Sequence, residues 1–242
     1  TKPGQLDFIA AEAPEYAVLT LKPRSMDARG YRLGYVEATR NFLAGCGEHR
    51  LRGVLAVSST RVYAEKAGGW VDEDSPLATE GDAALALVEA EQLLRDSPHP
   101  VSIVRCSGIY GDPFGRLLGR IAEGRLCPEQ PIRYSNRVHR EDVSAFLGWV
   151  LAQWEAGRRP ALTYLMSDCE PVSQYEVEAW LAAELGVQTE SGEAASPALL
   201  RGTAHRRCDS RRVQNSGFHF RFPSYRDGYL SVLAQRHAKV RE

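Results

Sequence analysis

The sequence predicts an α/β protein, a doubly wound parallel sheet followed by a smaller α/β lobe toward the C-terminal side. Three observations carry this. Gly53-Val54-Leu55-Ala56-Val57 is a continuous apolar run that ends abruptly in Ser58-Ser59-Thr60, and such runs fit strands covered on both faces rather than on one. Similar runs stand before it at Tyr16–Leu21 and after it at Val101–Cys106. The segments between them have helical spacing, so strand, helix and strand form right-handed crossover units with parallel strands.

Composition narrows the class. A chain of 242 residues that is 43% hydrophobic can bury a core as one domain with an appendage. The division read from the sequence is 1–160 for the core and 161–242 for a smaller lobe interleaved with it. Thirty basic and thirty-one acidic residues leave no field suited to nucleic acid or an anionic membrane. Cys46, Cys106, Cys127, Cys169 and Cys208 are odd in number and form no Cys-x-x-Cys pair. That argues against a disulfide framework or a structural zinc site and for a reducing compartment. With no signal segment and no apolar run of membrane-spanning length, the expected location is the cytoplasm, with no bound metal.

Along the chain, Leu6–Ala13 allows one or two helical turns, closed by Pro14. The strand at Tyr16 ends at Pro23. Ala28–Ala44 reads as a helix with Tyr31, Tyr35, Ala38, Phe42 and Leu43 near helical spacing. After the strand at Gly53, residues 64–81 are polar and contain Gly68-Gly69 and Pro76, a surface loop in which Asp72, Glu73 and Asp74 read as solvated charges. Ala83–Arg95 is a strong helix with Leu87, Ala90, Leu93 and Leu94 on one side. A short basic helix is expected from Phe114 to Glu123, and another begins near Arg140, with Glu141 and Asp142 complementing its start. Leu162–Met166 is a fourth strand. Ser173-Gln174-Tyr175-Glu176 is a capping box opening a helix to Leu185. Glu190 to Ala198 reads as a loop, Phe218–Pro223 alternates like an edge strand, and Ser224 is placed to cap the last helix.

Function in a sheet of this kind gathers beyond the carboxyl ends of the strands, which puts Ser58, Ser59 and Thr60 where chemistry happens. Taken alone, the three hydroxyls equally suit a turn, because they bond the backbone where a strand stops. The surrounding residues resolve the pattern. Ser58-Ser59-Thr60-Arg61-Val62-Tyr63-Ala64, Trp70-Val71-Asp72-Glu73-Asp74-Ser75-Pro76, Val104-Arg105-Cys106-Ser107-Gly108-Ile109-Tyr110-Gly111 and Asn136-Arg137-Val138-His139-Arg140-Glu141-Asp142-Val143 occur in this order. Together, over about residues 16 to 230, they resemble the extended short-chain dehydrogenase/reductases, the NAD-dependent epimerase/dehydratase group.

The resemblance implies a Rossmann-like sheet, NAD or NADP as cofactor, and a sugar-nucleotide or similar small molecule as substrate. It also implies that three strands and two helices precede the strand at Tyr16, the first turn carrying a glycine-rich pyrophosphate loop. Nothing within these residues matches that loop, since Gly30 and Gly34 lie inside a helical pattern. The chain is therefore expected to be either a piece of a longer protein or a form without its cofactor half. Its N-terminal part being absent, the apolar strand at Tyr16 has a bare edge, expected to be covered by Lys2 to Ala13 or by a second copy in a homodimer.

The implied site residues follow by position. Ser59 or Thr60 hydrogen-bonds the reacting oxygen. Ser58, Arg105, Cys106, Ser107 and Tyr110 lie along the cofactor, and Tyr63, Arg137, His139 and Arg207 contact substrate. A planar guanidinium suits phosphate or carboxylate, while His139 also fits a helix-start histidine held by its neighbours, Arg206 and Arg207 a solvated basic face, and Cys106 a small packing residue. The family's Tyr-x-x-x-Lys acid–base pair falls on Ala83 and Leu87, neither of which transfers protons; Tyr63 and Tyr110 beside strand ends and Glu80 and Asp82 just before the helix are the groups that could stand in. An oxidoreductase and a non-catalytic metabolite- or protein-binding relative both remain open.

Overall fold

The computed structural model describes residues 4–188 and 205–240, so the loop expected from Glu190 to Ala198 lies outside the described residues. The chain begins with α1 (Phe8–Glu12), β1 (Tyr16–Leu19) and α2 (Ala28–Tyr31). A π-helical segment, Arg32–Val36, continues α2 into α3 (Glu37–Cys46). Next come β2 (Gly53–Ser59), a 3-10 turn at Thr60–Val62, β3 (Trp70–Val71), α4 (Asp82–Arg95), β4 (Val101–Cys106) and β5 (Gly108–Tyr110). Then follow α5 (Arg116–Ala122), β6 (Tyr134–Ser135), β7 (Arg137–His139), α6 (Arg140–Glu155) and β8 (Thr163–Met166). The last elements are β9 (Val172–Ser173), α7 (Gln174–Glu184), β10 (Arg207–Cys208), α8 (Arg211–Gln214) and α9 (Tyr225–Val240). Among the described residues no helix is long and apolar enough to cross a membrane.

Two compact units divide the chain. The first comprises Thr1–Ala64, Glu73–Cys106 and Ala145–Met166; the second comprises Glu65–Asp72, Ser107–Ser144 and Ser167–Glu242.

The first unit is built on a parallel sheet in the order β1-β2-β4-β8. Tyr16 pairs with Gly53, Val54 with Val101 and Ile103 with Thr163. Successive side chains of a strand alternate between faces, so Val54, Ala56 and Ile103 share one face. They pack there with Phe42 and Cys46 of α3 and Leu94 of α4. On the opposite face Tyr164 meets Phe146 of α6 edge-on at 5.0 Å. Helices thus cover both faces, which explains why the strands read as unbroken apolar runs.

Three close approaches shape this unit. A Cβ at Gly53 would stand 2.6 Å from the Trp154 ring, so only glycine lets that indole lie on the strand backbone. Gly34 is likewise pressed by the carbonyl of Lys22 and by Pro23; its lack of a side chain serves helix–loop contact within the π-helical segment rather than a phosphate. The regular helix expected over Ala28–Ala44 is interrupted at this point. At the N-terminal side, Ile9 of α1 packs with Phe42 and Cys46. Residues 8–12 therefore dock on helices instead of adding a strand to β1, whose Val18 is 43% exposed.

In the second unit three two-stranded ladders, β5 with β7, β6 with β9 and β10 with β3, frame a helical core. Leu118 and Ile121 of α5, Val177 and Leu181 of α7, and Tyr225, Tyr229 and Val232 of α9 form it. The Ser173 half of the capping box forms: Ser173 Oγ accepts from Glu176 N at 3.1 Å, while Glu176 Oε1 accepts from Arg226 Nη2 at 3.3 Å. Ser224 Oγ accepts from Asp227 N at 3.3 Å, as expected for the last helix. The segment Phe218–Pro223 is not a strand. Asp142 takes the amides of Arg221 and Phe222 at 2.8 and 3.0 Å, while Phe218 and Phe222 are buried, so the alternation records two aromatic anchors and a backbone held by a carboxylate.

Two glycines should respond with opposite signs. Gly53→Ala forces the Trp154 ring aside and is expected to cost about 1–3 kcal/mol. At the exposed mid-helix position Gly148, where a Cβ meets nothing within 4 Å, alanine should stabilise by about 0.5–1 kcal/mol. Urea unfolding of both variants measures the difference.

Candidate functional site

In the first unit the polar groups gather at the carboxyl ends of β2 and β4. Register sets Ser58 beside Arg105 and Ser59 beside Cys106, so the two pairs turn to opposite faces. Ser58 and Arg105 turn toward α4. There Glu91, 4% exposed, meets Arg105, 2% exposed, with Nη2 donating to Oε2 at 2.7 Å and Nε donating at 3.1 Å to Oε1. Ser58 Oγ donates to the same carboxylate at 2.6 Å. Arg105 Nη1 donates to the Glu73 carbonyl at 3.0 Å, and the guanidinium lies 5.1 Å from the Tyr63 ring.

Glu73 is buried, contrary to its expected place among solvated charges. Its carboxylate accepts from Leu165 N at 2.8 Å, a partner 92 residues away that loop composition cannot reveal. Glu91, too, was not singled out by the sequence. Its signal is a carboxylate on the apolar side of α4, one turn from Leu87 and adjacent to Ala90.

Ser59 Oγ accepts from Arg61 N at 3.2 Å and so caps the 3-10 turn that contains Thr60. Burial pushes the Cys106 thiol up to about 12, which keeps it protonated and unreactive near neutrality. On α4, Ala83 packs with Tyr31, Val36 and Ala86, and Leu87 is buried. Glu80 and Asp82, the nearby carboxylates, are exposed.

The second unit brings Tyr110, Arg137 and His139 together. The β5–β7 register pairs Tyr110 with His139, their rings edge-on at 5.2 Å, and Tyr110 stacks on Tyr229 at 4.4 Å. Arg137 donates to Ser135 Oγ and lies 5.6 Å from the Tyr225 ring. Its carbonyl accepts from Asp168 N at 2.7 Å. Asp168, 1% exposed, is the member the sequence did not single out. Its only signal is an acidic residue two places beyond the apolar strand β8.

This cluster is incompletely bonded. Among the described residues Tyr110 OH, Arg137 Nη1, His139 Nε2 and Asp168 Oδ2, together with Ser107 Oγ, are buried without a hydrogen-bond partner. Burial lifts the Asp168 carboxyl from 3.8 to about 7, against the pull of the Arg137 guanidinium. Burial holds His139 below its ordinary value and drives the Tyr110 phenol far up, with Asp168 adding to the latter. The group near neutrality is thus a carboxylic acid rather than an imidazolium or a phenolate. Arg207 belongs to a separate stack, 5.1 Å from the Trp70 ring and 4.6 Å from the Tyr134 ring, with Nε donating to Gly68 O at 3.0 Å.

No family model matches the chain. Over 110 residues it is 33% identical to protein YeeZ of Escherichia coli, a match covering 45% of this chain and 39% of that one. The chain thus spans well under half the length of this curated relative. Among solved structures, a candidate NAD-dependent epimerase/dehydratase from Methylobacillus flagellatus matches 100% of this chain and 82% of its own, with a TM-score of 0.79 and 28% identity. The human epimerase family protein solved with NADPH gives 0.77 at 16% identity, over 97% of this chain and 88% of that one. UDP-glucuronic acid 4-epimerase from Bacillus cereus, solved with UDP-glucuronic acid and NAD, gives 0.75 at 16%, over 97% and 79%. At 16% identity the likeness is one of fold. Over its full length the chain is thus similar, at 28% identity, to a structure of the NAD-dependent epimerase/dehydratase group of the extended short-chain dehydrogenase/reductases. Solved relatives of this fold carry nicotinamide dinucleotides.

Two measurements probe the clusters. Glu91→Ala leaves Arg105 buried without its carboxylate and is expected to cost about 3–5 kcal/mol in urea unfolding. For Asp168 the folded value is the higher one, so between 3.8 and about 7 the folded chain keeps a proton that the unfolded chain releases. Its stabilisation is complete below that window and drains away as pH rises through it. The urea midpoint of the wild type should therefore fall more steeply from pH 4 to 7 than that of Asp168→Asn.

Proposed function

We propose that this chain is an NAD(P)-dependent epimerase/dehydratase-like oxidoreductase acting on a sugar nucleotide or a similar small metabolite, with its reacting oxygen held by Ser59 or Thr60. The observation that supports this reading is the parallel sheet whose central strand β2 ends in consecutive hydroxyls. The full-length likeness at 28% identity supports it further. In the first unit Ser58, Arg105 and Cys106 are the proposed cofactor neighbours and Tyr63 a substrate contact. In the second unit Ser107 and Tyr110 take the cofactor role, and Arg137, His139 and Arg207 the substrate role.

The dinucleotide fits these residues only in part. A pyrophosphate needs a helix start with open amides. The helix after β1 has its start occupied, because Asp27 Oδ1 accepts from Gly30 N at 2.6 Å, and a second anion there meets a carboxylate. Calorimetric titration of this 242-residue chain with NAD and NADP should give dissociation constants no tighter than about 1 mM. Micromolar binding overturns that expectation.

A second reading, a non-catalytic relative that binds a metabolite or protein on the same scaffold, is favoured by the apolar packing of Ala83 and Leu87. Removing the hydroxyls separates the two. With millimolar NAD(P) and UDP-sugars, the oxidoreductase reading expects the Ser59→Ala, Thr60→Ala double variant to lose about 10²-fold in rate at unchanged folding, the loss typical of a removed donor to a reacting oxygen. Absence of NAD(P)-linked turnover in the parent chain supports the binding relative.

A further inference from the structure

The second unit contains a cavity of about 460 Å³ that none of the residues assigned above lines. Its volume is that of a small-molecule site. One wall is Trp70, 57% exposed, on the short strand β3. This ring is held in place, since the β3–β10 register sets Trp70 beside Arg207 and the guanidinium stacks on the indole at 5.1 Å. Arg207 is itself fixed by Tyr134 and by the Gly68 carbonyl. An exposed indole already locked in orientation offers a large apolar surface at little further entropy cost. Pro171 and Cys208 supply more apolar lining.

The polar rim narrows the ligand. Arg211 bonds Asp209 through Nε, at 2.9 and 2.7 Å, and through Nη2, leaving Nη1 as a donor without a hydrogen-bond partner among the described residues. Gln214 donates through Nε2 to Ser210 Oγ at 3.0 Å, which leaves its carbonyl oxygen to accept. The Arg211 charge is matched by Asp209, so the rim offers one donor and one acceptor with no net attraction for an anion. A flat stacking surface beside a donor–acceptor pair fits the face and edge of a neutral planar heteroaromatic ring. We propose that this cavity binds such a ring, of nucleobase type, stacked on Trp70 and read at its edge by Arg211 and Gln214.

Saturation-transfer NMR on the full chain tests this, using adenosine and uridine as probes against benzoate, an anionic ring, and cyclohexanol, a non-planar one. The expected result is saturable transfer to at least one nucleoside, weakened at least tenfold by Trp70→Ala, about the loss of one aromatic stacking partner. Trp70→Phe should retain it. Gln214→Ala, an exposed change that leaves the fold intact, should weaken it without touching the stacking surface. The proposal is overturned by no saturable transfer to either nucleoside, by nucleoside binding that both Trp70→Ala and Gln214→Ala leave unchanged, or by equal binding of cyclohexanol or benzoate.

Discussion

Arg105 and Glu91 form an ion pair with almost no access to water, and the arrangement of the first unit depends on it. Removing two charges from water costs several kcal/mol per ion, and the pair is tolerable only when its remaining donors and acceptors are bonded. Here they are. Ser58 of β2 and Arg95 of α4 reach the Glu91 carboxylate, while the Glu73 carbonyl takes a further guanidinium donor. Glu73 in turn holds the amide of Leu165 in β8. A set of bonds this complete ties β2, β4, β8 and α4 into one register, since a slip by one residue turns every member to the wrong face.

The same network decides what the strand ends offer. Ser58 and Arg105 direct their polar groups inward to Glu91. Ser59, the last residue of β2, caps the 3-10 turn that Thr60 opens. Consecutive hydroxyls of one short motif therefore divide between holding the sheet together and standing at its carboxyl end.

The second unit is bonded by a different logic. Its stacked rings, Tyr110 on Tyr229 and Arg207 between Trp70 and Tyr134, fix positions through surface contact. Several buried polar atoms of Tyr110, Arg137, His139 and Asp168 have no partner among the described residues. Buried groups left in this state are costly and are concentrated where a protein does something besides fold. Asp168, with a carboxyl that titrates near neutrality, is the member whose charge state can change under physiological conditions.

The sequence by itself determined the elements. Apolar runs at Tyr16, Gly53, Val101 and Leu162, separated by helical spacing, specify a parallel sheet because strands covered on both faces have no polar side to alternate with. The caps at Ser173 and Ser224 were legible for an equally local reason, as each bonds within three residues. Only the tertiary structure decided the rest. The partners of Glu91, Glu73 and Asp142 lie 14, 92 and 80 residues away, and a carboxylate destined for burial has the same letters around it as one bound for solvent. Alternation at Phe218–Pro223 imitated a strand because two aromatics two turns of the pleat apart bury equally well in a loop. Tyr110, Arg137 and His139 were readable as candidates from their motifs, but Asp168 was not. Its role comes from the desolvation it meets beside Arg137, a quantity set by packing and absent from any stretch of sequence.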